Sequence, residues 1–293
     1  MPPKTWTIKD LLTVTARYLT ERGIESPRLA AEILLAHQLK IKRVSLYLNF
    51  DQPLTADEIE GYRTLIKRRI RHEPIQYITG IQEFWSVPFM VDSRVLIPRP
   101  ETEVLVEKAI ALSRKRRSGG PPSKILELGT GSGAISVCMA KEIPDAVIWA
   151  TDVSTEALEV ARLNAEKHGV MRRITFLKGN LWEPLQAPNS RFDLILSNPP
   201  YIATHEFKDL QPEVRDFEPR LALDGGEKGM HYLVNILRES PRFLEPGGWL
   251  VLEMAPDQTE AALAMMRRIN LYKTASRHPD YAHQYRVVMG ERS

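Results

Sequence analysis

The chain has 293 residues, a net charge of +3, 43% hydrophobic and 26% charged residues, which is ordinary for a soluble globular protein of one large or two ordinary domains. The charge is too small to argue by itself for nucleic acid, though it permits a polyanionic partner, and the single cysteine, Cys138, excludes an intrachain disulfide and fits a reducing compartment. No apolar run approaches the roughly 20 residues of a membrane span and the N-terminus lacks an apolar signal stretch, so a cytoplasmic protein is expected.

Residues 5 to about 75 read as helical throughout. Thr5 or Thr7 caps a first helix in which Ile8, Leu11, Leu12, Ala16 and Leu19 recur at helical spacing, and Gly23 closes it. Ser26-Pro27 opens a second helix, with Ser as cap. After a short piece at 43–48, Thr55 caps a longer helix with Asp57 and Glu58 first and Lys67 to His72 last, the charge order a helix dipole favours. Nothing here carries chemistry. Pro74 breaks the pattern, and the aromatic and β-branched residues of 77–91 around Gly80 predict a β-hairpin linker. Pro98-Arg99-Pro100 is a rigid entry to another helix; Glu101 or Glu103 could line a site there, or serve equally as first-turn acids. Arg114 to Arg117, followed by Ser118-Gly119-Gly120-Pro121-Pro122, reads as a charged, flexible loop.

From Lys124 onward the pattern alternates. Strands are expected at 124–128, 147–151, 174–177, 192–197, 248–254 and 285–289, with helices at 133–142, 155–168, 229–243 and 257–270. That alternation predicts an α/β fold with a parallel, doubly wound sheet, the last strand pairing antiparallel at or near an edge. Cys138, inside an apolar segment, reads as core.

Two turns at strand ends point to chemistry. Lys124 to Leu128 feeds Gly129-Thr130-Gly131-Ser132-Gly133, a Gly-rich turn into a helix that lets a ligand approach the backbone. Asp152 follows 23 positions after Gly129, at a strand end, where a carboxylate accepts from ribose hydroxyls. The spacing fits NAD(P) and S-adenosylmethionine alike. Glu127 favours the second, because an acid attracts a cationic amino group and repels a pyrophosphate. Asn180, Leu181 and Trp182 suit the edge and face of adenine. The other turn is Asn198-Pro199-Pro200-Tyr201, after the apolar strand ending at Ser197. Two prolines stiffen it, Asn198 and the Pro199 carbonyl can accept from an –NH2, and Tyr201 offers an aromatic face. The seven histidines are scattered without metal-ligand spacing, so no metal is expected.

These residues together resemble the HemK/PrmC family, the N5-glutamine methyltransferases of peptide chain release factors. The likeness runs over nearly the whole chain: the helical N-terminal region, Tyr77-Ile78-Thr79-Gly80 with Glu83-Phe84, Ile97-Pro98-Arg99-Pro100-Glu101-Thr102-Glu103, the Gly129–Gly133 turn, Asn198 to Tyr201, and Glu218-Pro219 with Ala222-Leu223 and Gly225-Gly226. The Asn-Pro-Pro-Tyr element alone names only amino-group methylation, and N6-adenine or another nucleic-acid amino group is the alternative substrate. The resemblance implies a Rossmann-like class I S-adenosylmethionine-dependent methyltransferase domain with a mostly parallel seven-stranded sheet over 98–293. It also implies a helical substrate-recognition domain at 1–75 and a hairpin linker at 76–97.

By the same resemblance, Gly129, Thr130, Gly131, Ser132 and Gly133 wrap the methionine part of the cofactor, with Glu127 beside them. Asp152 holds the ribose, and Asn180 and Leu181 line the adenine pocket. Asn198, Pro199, Pro200 and Tyr201 take the glutamine amide, Asn198 also bordering the cofactor. The implied partners are class 1 release factors, with no stable nucleic-acid binding, no membrane, and a monomeric chain. Where the family pattern has Gly near the C-terminus this chain has His283, which bears on local loop shape and not on the chemistry.

Overall fold

The computed structural model describes residues 5–116, 123–185 and 190–293; the loop expected at 117–122 lies outside them. Five helices open the chain: α1 (Ile8–Thr20), α2 (Pro27–Leu39), α3 (Arg43–Leu48), α4 (Ala56–Arg69) and α5 (Ile75–Thr79). A hairpin of β1 (Ile81–Phe84) and β2 (Val87–Met90) precedes α6 (Thr102–Arg116) and β3 (Lys124–Leu128). Then come α7 (Ala134–Glu142), β4 (Val147–Asp152), α8 (Thr155–Lys167), β5 (Ile174–Lys178), β6 (Phe192–Ser197) and α9 (Pro212–Phe217). The chain finishes with α10 (His231–Phe243), β7 (Leu244–Glu253), α11 (Thr259–Ile269), β8 (Tyr272–Pro279) and β9 (Tyr285–Arg292).

These elements form two units. The first runs to Gly80 and takes in Gln211–Phe217; the second holds Ile81–Leu210 and Glu218–Ser293. In the first, α1 begins on a reciprocal cap, Asp10 N donating to Thr7 Oγ1 at 3.2 Å while Asp10 accepts from Thr7 N. Thr55 and Glu58 repeat the device on α4. Ser26 does not cap α2: it sits at φ 47° with no side-chain cap bond, and Pro27 alone starts the helix. Ile8, Leu12, Leu34, Leu35 and Leu46 are fully buried around Tyr62, whose hydroxyl donates to Ala31 O at 3.1 Å. The late segment α9 is tied in by Arg69, which is 5% exposed and donates to Glu213 Oε1 at 2.8 Å. Burial pushes the Glu213 carboxyl up, and its bonds from Arg69 and His72 outweigh that and hold it below the usual value.

In the second unit the sheet order is β5-β4-β3-β6-β7-β9-β8, parallel from β5 to β7, with β9 antiparallel to β7 and β8 antiparallel to β9. Side chains of β6 alternate between two cores, Leu194 and Leu196 packing on the α6–α7–α8 side and Phe192 and Ile195 on the α10–α11 side. The chain is therefore doubly wound, helices covering both faces. Register sets Leu128 and Leu252 on either side of Ser197, so the ends of β3, β6 and β7 meet at one edge.

Four further expectations need correction. Residues 77–79 lie in α5, closed by Gly80 at φ 74°, and the hairpin proper starts at Ile81. Arg114 to Arg116 belong to α6, with Arg114 paired to Glu142, because the helix continues into the charge run. The seventh strand, β8, has no strand in the residue-level reading; its sequence Tyr-Lys-Thr-Ala-Ser-Arg-His-Pro lacks apolar alternation because it is a half-exposed edge. Finally, β7 starts at Leu244, four residues early, through an irregular stretch that holds Gly247 and Gly248. Among the described residues no helix is long and apolar enough to cross a membrane.

Candidate active site

Beyond the carboxyl ends of β3, β4 and β6 lies a cavity of about 370 Å³, within the range of small-ligand sites. It is lined on one side by Glu127, Gly129 to Ser132 and Asp152, on another by Asn180 and Leu181, and on a third by Asn198, Pro199 and Pro200. All of these belong to the second unit. The cavity thus brings together the candidates except Gly133, Trp182, Tyr201 and the acids Glu101 and Glu103.

The first side is built by the turn after β3. Gly129 and Gly131 sit at φ 72° and 53°, and a Cβ added to either meets nothing within 4 Å, so this backbone faces open space. Gly133 differs. A Cβ there would stand 3.1 Å from the Ala161 Cβ, so its glycine serves the packing of α7 on α8 and not the cavity. Asp152 braces the turn, accepting from Gly131 N and Ser154 N at 2.9 Å each. Burial raises its carboxyl above the usual value against these bonds.

Glu127 is 1% exposed. Its Oε2 accepts from Thr130 Oγ1 at 2.8 Å, from Ser136 N at 3.0 Å and from the Ser136 hydroxyl. Burial pushes it up to about 7, with Asp152 adding to the rise and the Ser136 and Thr130 bonds opposing it. The arginines in the lining are committed elsewhere, Arg94 to Asp92, Arg99 to Glu218 and Arg220 to Asp224. One buried and one half-buried carboxylate, Glu127 and Asp152, therefore face a cavity whose cations are already paired, an acceptor set suited to a ligand with a positive charge and hydroxyl groups. S-Adenosylmethionine has both; the pyrophosphate of NAD would meet Glu127 and find the Gly131 amide already held by Asp152.

On the second side Leu181 adopts φ 49°, a conformation costly for a branched residue, which turns the chain after β5 toward the cavity. Trp182 is not there. It stacks on Phe243 with ring centroids 4.7 Å apart, its Nε1 donating to Asn235 at 2.8 Å.

On the third side Asn198 Nδ2 donates to Thr102 Oγ1 at 3.0 Å. Tyr201 packs with the α10–α11 core and not in the lining; its backbone carbonyl accepts from Gln258 Nε2 at 2.9 Å, and burial pushes its phenol up to about 12. Glu218 accepts from Ile97 N at 3.2 Å and from the Arg99 guanidinium, tying two of the motif segments to each other. Thr102 and Arg99 line the cavity, and neither was singled out by residue-level reading. Glu103 instead accepts from Trp85 N at 2.7 Å, and Glu101 is outside the lining. The signal missed was helix phase: Thr102 is the first residue of α6 and points to the sheet edge while its acidic neighbours turn away. Among the described residues no cluster of His, Cys, Asp and Glu is arranged to hold a metal ion.

Comparison with known proteins gives the family. Residues 10–80 match the PrmC N-terminal domain and residues 102–214 the methyltransferase small domain. The release factor glutamine methyltransferase of Geobacter sulfurreducens is 46% identical over 91% of this chain and 90% of its own. That of Chlorobaculum tepidum is 42% identical over 87% of each. Among solved structures, the hMettl16 catalytic domain superposes with a TM-score of 0.58 at 15% identity, covering 74% of this chain and 80% of that one, a likeness of fold alone. By fold, by both domain matches and by relatives that run its length, the chain belongs to the release factor glutamine methyltransferase family.

Proposed function

We propose that the chain transfers a methyl group from S-adenosylmethionine to the side-chain amide nitrogen (N5) of the glutamine in the Gly-Gly-Gln motif of class 1 release factors, modulating translation termination. The supporting observation is that the Gly129–Ser132 turn and the Asn198–Pro200 turn open on one cavity. The bound cofactor supplies an electrophilic methyl on a good leaving group. Glu127 would hold its ammonium group, Asp152 its ribose, Gly129 to Ser132 its methionine part, and Asn180 and Leu181 its adenine. An amide nitrogen is a weak nucleophile, its lone pair being delocalised into the carbonyl. Asn198 Oδ1 and the Pro199 carbonyl accept its two N–H bonds and fix its orientation, and such positioning supplies several kcal/mol. Pro200 stiffens the turn, and Tyr201, packed behind it, holds it in place. Residues 1–75 recognise the protein substrate, 76–97 connect, and 98–293 carry the transfer.

The adenine-amino alternative would use the same Asn198 turn but needs phosphate contacts from the basic runs at 114–117, where Arg114 is paired with Glu142, and at 67–71. There Arg68 is paired with Glu73 and Arg69 with Glu213. The test is transfer of labelled methyl to a purified release factor, to the same factor with its Gly-Gly-Gln glutamine changed to alanine, and to duplex DNA. Label on the intact factor alone is expected; label on the alanine variant or on DNA overturns the substrate.

A further inference from the structure

Behind the Asn198 turn lies a group that this mechanism does not use. Glu253 ends β7 beside the end of β6, is 1% exposed, and neither carboxylate oxygen has a hydrogen bond of standard geometry. A buried carboxyl in that condition is costly and is rarely kept without a task. It does not line the cavity. Thr102 stands between: its Oγ1 accepts from Asn198 Nδ2, and its hydroxyl acts on Glu253 as a loosely placed donor.

Resting on the amide-methylation reading above, we propose that Glu253, acting through Thr102, is a positioning residue that fixes which end of the Asn198 amide faces the substrate. An ionised carboxylate only accepts, so it claims the Thr102 hydroxyl proton. Thr102 then has only lone pairs to offer Asn198. The amide must turn Nδ2 to Thr102 and leave Oδ1 free, which is the acceptor that a substrate –NH2 requires. A neutral Glu253 can donate to Thr102, which releases the hydroxyl proton toward Asn198. The flipped amide then becomes as good, presenting –NH2 against –NH2.

The charged neighbours that set the balance are Arg286 on β9 and Arg99 and Glu101 just ahead of α6; the Tyr201 phenol after β6 also faces Glu253 and is neutral. Burial raises the Glu253 carboxyl, and Thr102, Arg286 and Arg99 oppose the rise, leaving it at about 7. The relay is therefore set above neutrality and loosened below it. Arg286 is itself anchored, its Nε donating to Asp280 at 3.0 Å.

The experiment measures kcat and KM from pH 5.5 to 9 at saturating S-adenosylmethionine, with a class 1 release factor, for the parent, Glu253→Gln, Thr102→Val and Thr102→Ser. The parent kcat is expected to fall on the acid side of about 7. Glu253→Gln and Thr102→Val should each lose kcat about tenfold or more at pH 8, with cofactor KM little changed and the acid limb gone. Thr102→Ser, which keeps the hydroxyl, should restore most of that loss. A Glu253→Gln enzyme with parental kcat and an unaltered acid limb overturns the proposal. A second readout needs no substrate: the 15N side-chain amide signals of Asn198, assigned by their loss in Asn198→Ala, should titrate in the parent and not in Glu253→Gln. If the parent methylates no release factor, the substrate reading falls. The amide titration still decides the relay, and its persistence in Glu253→Gln overturns it.

Discussion

Glu127 and Glu253 stand on the two strands that flank β6, near the same sheet edge, equally buried and with carboxyls raised by burial to about 7. Their surroundings differ. Glu127 lines the cavity and its Oε2 takes donors from Thr130 and Ser136, so its orientation is fixed before any ligand arrives. Glu253 is withdrawn behind Thr102 and left without a hydrogen bond of standard geometry, so its charge state governs its neighbours. The roles proposed above give one sheet edge two kinds of acid: a contact for a cation on one side, a control on hydrogen-bond direction on the other. Preorganisation on the β3 side comes from satisfied bonds; on the β7 side it comes from an unsatisfied one.

Asn198, between them, should give the largest effect. Asn198→Ala is expected to lower kcat on the order of 100-fold or more by removing one placed acceptor, with S-adenosylhomocysteine affinity within a few-fold. A variant with near-parental turnover would erase the functional difference between the two sides. Next comes Glu127→Gln, which keeps the shape and removes the charge. Cofactor affinity should weaken roughly 10- to 100-fold while kcat at saturation changes little, the reverse of the Glu253→Gln pattern. Equilibrium titration of both variants separates the roles; a kcat defect alone in Glu127→Gln would merge them.

Thermal stability sharpens the contrast further. Both carboxyls are raised in the folded chain above the ordinary value of 4.5, so their contribution to stability is full below that pH and is lost as pH rises through about 7. Without cofactor, Tm should fall by on the order of a few degrees between pH 5.5 and 8, and either Gln variant should flatten the slope. A slope identical in both variants and the parent would show that neither acid titrates there. The smallest effect concerns the loop that anchors Arg286. His283 sits at φ 63° in a loop whose Ala282 and Gln284 amides donate to Asp280 Oδ1 at 2.9 and 2.8 Å. His283→Gly should relieve the left-handed strain and stabilise by about 1 kcal/mol, read from chemical denaturation, with the acid limb unmoved. The loop keeps a glycine-like shape with a histidine in it.

Much of the site was legible because strand-ending turns are local. Gly129 to Ser132, Asp152 and Asn198 to Pro200 were each nominated from residues within a few positions of themselves, and the fold brings them to one cavity. Gly133 and Tyr201 belong to the same motifs yet pack inward, since a motif's residues alternate between ligand and core. Thr102 and Glu253 were not nominated because their meaning is non-local: nothing near Glu253 in the chain announces that β7 will end beside Asn198. The fold reads the same way. Buried parallel strands such as β3 and β6 carry apolar runs and match their expected limits, while the edge strand β8 has no such run because only its pairing with β9 makes it a strand.

The return of Gln211–Phe217 to the first unit has a consequence for biosynthesis. Arg69 and its partner Glu213 are 144 residues apart. At about 5–20 residues per second, the ribosome needs roughly 7–30 s to cover that interval. Throughout it the nascent helical unit carries a guanidinium whose carboxylate has not been made, while β1 to β6 emerge. The N-terminal unit is thus the first to be started, yet it is completed only after β6 has been made.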